Sequence, residues 1–157
     1  MVDTVRPLAQ ARLSWPALVS LAVALGAMAV DHLLGTERDE GESGLADPVT
    51  FGVSVALCLV TAALVFGWVA PRARARGLDR AAAIGLACSV LAVVPGAALA
   101  WLGFPFVVAG GGVELGLEGR HGGRRRLALA AVVVGTAFLA LGTIAYAYFL
   151  VQGLSEL

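Results

Sequence analysis

The sequence contains no lysine and carries little charge of either sign. Charged residues make up 14% of its 157 positions and hydrophobic residues 59%, whereas a soluble domain usually has about 25% charged residues. The mean hydropathy is +0.88. So few charges cannot cover the surface of a water-exposed globule, and they exclude a disordered chain, a coiled coil and a nucleic-acid binder with a basic face. The composition predicts a small integral membrane protein.

Cysteine and histidine are also scarce, with two of each. Cys58 and Cys88 both lie inside apolar runs, where we expect packing residues rather than a disulfide framework. The sequence has no P-loop, no G-x-S-x-G, no H-E-x-x-H and no C-x-x-C motif. No serine has a neighbouring histidine to activate it. We therefore predict no catalytic residue, no cofactor site and no metal site.

Four apolar runs without any charge account for most of the chain. They cover residues 13–30, 49–70, 81–113 and 127–155. About 20 helical residues cross a hydrocarbon core of about 30 Å. In lipid the backbone must be hydrogen-bonded within the protein, and the alternation of a β-barrel strand is absent, so the runs are predicted to be helices. The fold class is predicted to be all-α, a polytopic transmembrane helical bundle.

The charges lie between the runs and are sorted by sign. Segment 35–48 holds five acidic residues and one arginine, segment 71–80 holds four arginines and one aspartate, and segment 118–126 holds four arginines and one glutamate. Arginine-rich short loops stay in the cytoplasm. We therefore expect a cytoplasmic tail at 1–12, basic cytoplasmic loops at 71–80 and 118–126, and an acidic outer loop at 35–48. This places the chain in the inner (cytoplasmic) membrane with its N-terminus in the cytoplasm.

The third run has 33 residues and must both begin and end on the cytoplasmic side. As one straight helix it would be about 50 Å long, so we divide it at Gly103-Phe104-Pro105, where proline and the residue before it oppose helix. The halves are helix 81–102 and a short return helix 105–117. Because three glycines at 110–112 weaken the return helix, it either spans thinly or is re-entrant. The bundle therefore has about five membrane segments.

The first two helices form a hairpin over residues 13–70. Ser14 is expected to cap the first helix, with Pro16 in its first turn, and Pro71 is expected to end the second. Residues 127–157 form the final helix and a short outer tail. Arg6, Arg12 and Ala27-Met28-Ala29 also fit a cleaved signal peptide, but the apolar run exceeds the usual 7–15 residues of such a segment.

Aromatic residues fall near the predicted membrane boundaries. Trp15 and Trp68 lie at the inner boundary, and Trp101, Tyr146 and Tyr148 lie at the outer one. Tryptophan and tyrosine prefer these interfacial belts. Their positions agree with the proposed crossings.

Small residues recur at four-residue spacing in most of the helices. Such faces allow helices to approach closely in lipid, where packing rather than the hydrophobic effect holds helices together. They serve either packing within the chain or association between chains. The spaced residues are Ala22 and Gly26; Gly52 and Ala56; Ala81, Gly85 and Ser89; Ala92, Gly96 and Ala100; and Ala131 and Gly135.

Four residues are candidates for a functional site. Glu114 is the one acidic residue within a predicted crossing, where a charge is costly and often functional; it either handles protons or ions, or pairs with Arg120 or an arginine of 71–80. Pro95, inside the third helix, is either a hinge or a static kink. Asp31 and His32 close the first helix beside the acidic loop, as part of a cation site or of a solvated connector.

Four segments follow one another in the C-terminal half: an Ala/Gly-rich helix from Ala81, the return GFPFVVAGGGVELGLEGR from Gly103, the spacer HGGRRR and the final helix from Leu127. In this order they resemble a group of small actinobacterial multi-pass membrane proteins of unknown function. Glu114 and Glu118 depart from the purely apolar return expected there. The resemblance implies a membrane location and brings no activity, cofactor or site.

These observations predict a non-enzymatic structural or interaction protein. Its partners would be the lipid bilayer and either itself or a larger membrane complex, with no nucleic acid. The alternative is a small transporter or channel subunit that uses Glu114 as an intramembrane carboxylate.

Overall fold

The computed structural model describes residues 14–35 and 48–155, and within these ranges no residue lies in a strand. The predicted all-α bundle is confirmed. Its helices are α1 (Trp15–Gly35), α2 (Pro48–Leu64), a π-helical segment (Val65–Val69), α3 (Ala70–Ala75), α4 (Leu78–Leu99), a 3₁₀ turn (Ala100–Leu102), α5 (Phe104–Gly119) and α6 (Arg125–Ser155). The predicted cytoplasmic tail, residues 36–47 of the predicted acidic loop and the last two residues lie outside the described residues.

Among the residues that the structure describes, four helical stretches are long and apolar enough to cross a membrane. They are Trp15–His32, Pro48–Ala75, Leu78–Gly96 and Arg125–Gly153. Their length and composition support a multi-pass integral membrane protein. Their exposed surfaces are rich in leucine and valine, as expected of side chains that face acyl chains.

The predicted return helix, α5, is the centre of the bundle. It has 16 residues, or about 24 Å of helix, and its side chains are buried almost throughout from Pro105 to Gly116. Its first end lies beside Met28 of α1 and its last turn beside Ala82 of α4. Helix α5 therefore runs from one end of the bundle to the other, antiparallel to α1, α4 and α6.

The glycine triplet at the middle of α5 allows three neighbouring segments to pack closely against this helix. An added Cβ at Gly110 would meet Ser20 of α1, one at Gly111 would meet Val65 of the π-helical segment, and one at Gly112 would meet Ser89 of α4. Successive residues of a helix point about 100° apart, so the three glycines face three different neighbours. The weakening of the helix by glycine is offset by close approach on every side.

The expectation that Pro71 ends the second helix is wrong. The helix continues through Pro71 to Ala75 because a π-helical segment precedes the proline. In this segment the Ala70 N–H reaches back five residues to the Val65 carbonyl. A π-bulge widens the helix by one residue, which accommodates a ring that lacks an N–H and clashes with the preceding turn. As a result, part of the predicted basic loop 71–80 is helical.

The predicted division of the third run is confirmed, and glycine makes the turn. Gly103 has a φ of +73° and Gly77, between α3 and α4, has a φ of +100°, a region that favours glycine over residues with a Cβ. Pro105 lies in the first turn of α5, where its missing N–H costs nothing. Helix α4 continues through Pro95 as far as Leu99.

Hydroxyl groups inside the bundle are bonded to backbone carbonyls. Ser20 donates to Ala17 at 3.1 Å within α1, and Ser89 of α4 donates across to Ala131 of α6 at 2.8 Å. Because lipid offers no hydrogen-bond partner, such bonds remove the cost of a buried hydroxyl. The Ser89 bond also joins two of the helices that surround α5.

Candidate functional site

The two basic segments of the sequence meet at one end of the bundle, which we call the arginine end. It comprises residues 72–80 and 120–126. A carboxylate oxygen of Asp79 accepts a hydrogen bond from the Arg124 backbone N–H at 3.0 Å. The turn that joins α5 to α6 therefore lies against the first turn of α4. Trp15 and Trp68 flank this end and are 77% and 54% exposed, as expected for an interfacial position.

Glu114 lies just inside the arginine end and is almost fully buried, with its side chain 8% exposed. One of its carboxylate oxygens accepts a hydrogen bond from the hydroxyl of Ser14. The other is paired with the guanidinium of Arg74. The predicted pairing of Glu114 with an arginine of the 71–80 segment is thereby confirmed.

Arg74 also binds Glu118, one helical turn further along α5. Its Nε lies 2.8 and 2.7 Å from the two carboxylate oxygens of Glu118, and its Nη2 lies 2.7 Å from one of them. The planar guanidinium can serve two carboxylates at once because its five N–H donors form a fixed fork. One arginine thus holds two glutamates that are four residues apart on the same helix face.

Each partner is positioned by a different local feature of the sequence. Ser14 precedes the first residue of α1, where its Oγ accepts the Ala17 N–H at 3.4 Å as the predicted cap, while its own proton goes to Glu114. Arg74 reaches the site because the helix does not stop at Pro71. The cluster of Ser14, Arg74, Glu114 and Glu118, which we call the carboxylate latch, therefore ties α1, α3 and α5 together.

The other three candidates lie away from the carboxylate latch. His32 stacks on Phe51 of α2, with ring centroids 4.5 Å apart, and Asp31 is half-buried beside it in the sequence. They lie at the opposite end of α1 from Ser14, about 25 Å away along the helix. Pro95 precedes Gly96, whose added Cβ would lie 3.4 Å from Cβ of Pro105 at the start of α5. The structure does not bring the four candidates together into one site.

Sequence reasoning found Glu114 and expected Arg120 or an arginine of 71–80 as its partner, but it did not single out Arg74 and did not predict the hydrogen bond from Ser14. The four-residue spacing of Glu114 and Glu118 on one helix was the available indication that a single cation could bind both. Within residues 14–35 and 48–155, no three His, Cys, Asp or Glu side chains are grouped as they would be around a metal ion. At Glu114 the arrangement neutralises the charge of a buried carboxylate with the guanidinium of Arg74.

No protein-family model, no curated protein and no solved structure matches this chain.

Proposed function

We propose that this chain is a non-enzymatic interaction protein of the membrane, which packs through the outer face of α2 against a second transmembrane helix. The second helix belongs either to another copy of the chain or to a larger membrane complex. The supporting observation is the division of its small residues into two sets, one covered by the fold and one facing outward.

The covered set lies in the helices around α5. Ala81, Gly85, Ser89 and Ala92 of α4 are buried, as are the paired small residues of α6. An added Cβ at Gly85 would lie 3.0 Å from the Gly112 carbonyl oxygen. These positions allow close packing within one chain.

The outward set lies on α1 and α2. Ala22, Gly26, Gly52 and Ala56 are exposed, and a Cβ added at either glycine would have no atom within 4 Å. Glycine costs a helix up to about 1 kcal/mol relative to alanine. Within the chain this cost brings no packing in return, whereas a second helix would find the flat surface that close approach in lipid requires.

Of α1 and α2, helix α2 offers the better surface for contact with a second transmembrane helix. Within Pro48–Ala75, 17% of an apolar stretch of 18 residues is buried inside the fold, against 28% of Trp15–His32. Gly52 and Ala56 are followed three turns later by Ala63 and Gly67, which repeat the spacing and are also exposed. Eleven residues are close to three α-helical turns, so Ala63 lies on the same side of the helix as Gly52, and Gly67 follows in the π-helical segment.

Leucine at Gly52 is expected to disrupt this association. After extraction from native membranes in mild detergent, the wild-type chain should migrate as an assembly larger than one chain. Gly52→Leu should shift most of the protein to the monomer, because the added side chain holds the partner helix away. The matched control is Ala137→Leu, which also places a leucine at an exposed position of α6 and should leave the assembly intact. A cysteine in place of Ala56, in a chain whose Cys58 and Cys88 are replaced by alanine, distinguishes self-association, which gives a cross-linked dimer, from a different partner.

A wild-type chain that is monomeric under these conditions, or a Gly52→Leu variant that assembles as wild type does, contradicts the proposal.

The transporter alternative depends on Glu114. Both oxygens of this carboxylate are engaged, which favours a fixed structural role over a carboxylate that exchanges protons or ions during transport.

The orientation follows from the arginine end, which we propose is cytoplasmic. Reporters fused at Leu45, Gly77, Gly122 and the C-terminus are expected to lie outside, inside, inside and outside. The packing of Gly122 against Leu78, where an added Cβ would lie 2.9 Å from Cβ of the leucine, supports a common side for the two middle fusions. A four-crossing chain would instead place Gly122 outside and the C-terminus inside.

A further inference from the structure

The arginine end presents a continuous cationic surface, which we call the arginine surface. Its members come from two turns that are far apart in sequence and are joined by the Asp79–Arg124 hydrogen bond. All of their side chains are exposed. They are Arg72, Arg76, Arg80, Arg120, Arg124, Arg125 and Arg126.

The acidic residues at this end already have hydrogen-bond or ion-pair partners within the fold. Asp79 receives the Arg124 backbone N–H, and Glu114 and Glu118 share Arg74. Across the described part of the chain, ion pairs with a carboxylate are confined to Arg74. The arginine surface therefore retains cationic charge that the fold itself does not neutralise.

The arginine surface lies in the plane where lipid headgroups would be. The stretches able to cross a membrane end at Ala75 and begin again at Leu78 and Arg125. The guanidinium carbon of Arg72 lies 4.2 Å from the ring centroid of the exposed Trp68, which joins a headgroup-seeking cation to an interfacial aromatic ring.

We propose that the arginine surface binds the phosphate groups of anionic phospholipids. A guanidinium binds phosphate through two parallel N–H bonds, which an ammonium cannot do, and juxtamembrane clusters of four to eight basic residues attract anionic lipid. Phospholipid is favoured over nucleic acid because the arginines border the crossing helices, within reach of headgroups in the same leaflet. This binding goes beyond the association through α2 and does not depend on it.

The test compares two lipids that differ only in headgroup charge. The purified full-length chain in non-ionic detergent receives phosphatidylglycerol or phosphatidylcholine with the same acyl chains, and native mass spectrometry counts the lipids retained. We expect the wild type to retain at least about threefold more phosphatidylglycerol. This preference should fall when ionic strength rises, because salt screens exposed charges.

Variants then show whether the lipid preference depends on the arginines and not on a change in folding. R124Q/R125Q/R126Q should lose most of the preference, whereas R124K/R125K/R126K should keep part of it because charge remains. Protection of the buried Cys58 thiol from a thiol reagent checks that each variant is folded, and R76Q/R80Q serves if the first variant is not. Equal retention of both lipids, or an unchanged preference in the glutamine variants, overturns the proposal. Binding of a short DNA duplex without any preference for phosphatidylglycerol overturns it in favour of nucleic acid.

Discussion

Replacing Gly112 with alanine is expected to lower the free energy of unfolding by about 3 kcal/mol, at the upper end of the usual cost of overpacking. The added Cβ would lie 2.8 Å from the carbonyl oxygen of Gly85 and 2.9 Å from the backbone nitrogen of Ser89. Both atoms belong to the backbone of α4, so no side-chain rotation can relieve the contact. The methyl group would also meet the Ser89 hydroxyl, which bonds α4 to α6.

The measurement is unfolding in mixed detergent micelles, followed by labelling of the buried thiol of Cys58. Gly26→Ala is the matched control, because a Cβ at this position has open space around it. Alanine should leave α1 unchanged or stabilise it by up to about 1 kcal/mol. If Gly112→Ala unfolds together with the control, α5 is not held at the close distance described here.

Replacing Arg74 with glutamine is the second substitution with a large expected effect, a loss of about 2 kcal/mol of stability. It leaves Glu114 buried with its hydrogen bond from Ser14 and without a cation. Breaking a fully buried ion pair costs about 3–5 kcal/mol. The expected loss is smaller because the Arg74 side chain is 41% exposed, so water already screens part of the interaction.

The control is Arg76→Gln, which removes the same charge from an exposed position and should change stability by no more than about 0.5 kcal/mol. The double variant R74Q/E114Q should recover much of the loss, because it no longer buries an unpaired carboxylate. The same micelle unfolding measures these three variants and Glu114→Gln, which completes the double-mutant cycle that isolates the coupling between Arg74 and Glu114. Equal losses for Arg74→Gln and Arg76→Gln would show that the carboxylate latch contributes nothing specific.

The crossing helices could be predicted because lipid imposes a simple rule on the backbone. Any long charge-free run must form its own hydrogen bonds, so the runs at 13–30 and 127–155 predicted helices without knowledge of their neighbours. The turn at Gly103 could also be predicted, because glycine and proline restrict or free the local backbone whatever their neighbours in the fold. The ion pair of Glu114 with an arginine of 71–80 could be predicted from cost alone, because a carboxylate at depth needs a cation.

The effect of Pro71 could not be read from the residue itself. A proline in a helix either ends it or is accommodated, and the outcome here depends on a π-helical segment at Val65–Val69 that packs against Gly111. The same holds for the glycine triplet. Propensity alone predicts a weak helix, whereas in the bundle these glycines lie against α1, α4 and the π-helical segment.

The residues alone are sufficient to predict that this chain is helical, where most of its crossing helices lie, and that its two basic segments belong on one side of the membrane. These properties depend on composition and local backbone chemistry, which act within a few residues. The packing of the helices, by contrast, puts the 16-residue α5 at the centre, brings Arg74 and Ser14 to Glu114, and leaves particular small residues facing outward. Those outcomes depend on which surfaces meet, and in lipid this is decided by how closely backbones can approach, a property of pairs of helices rather than of either one.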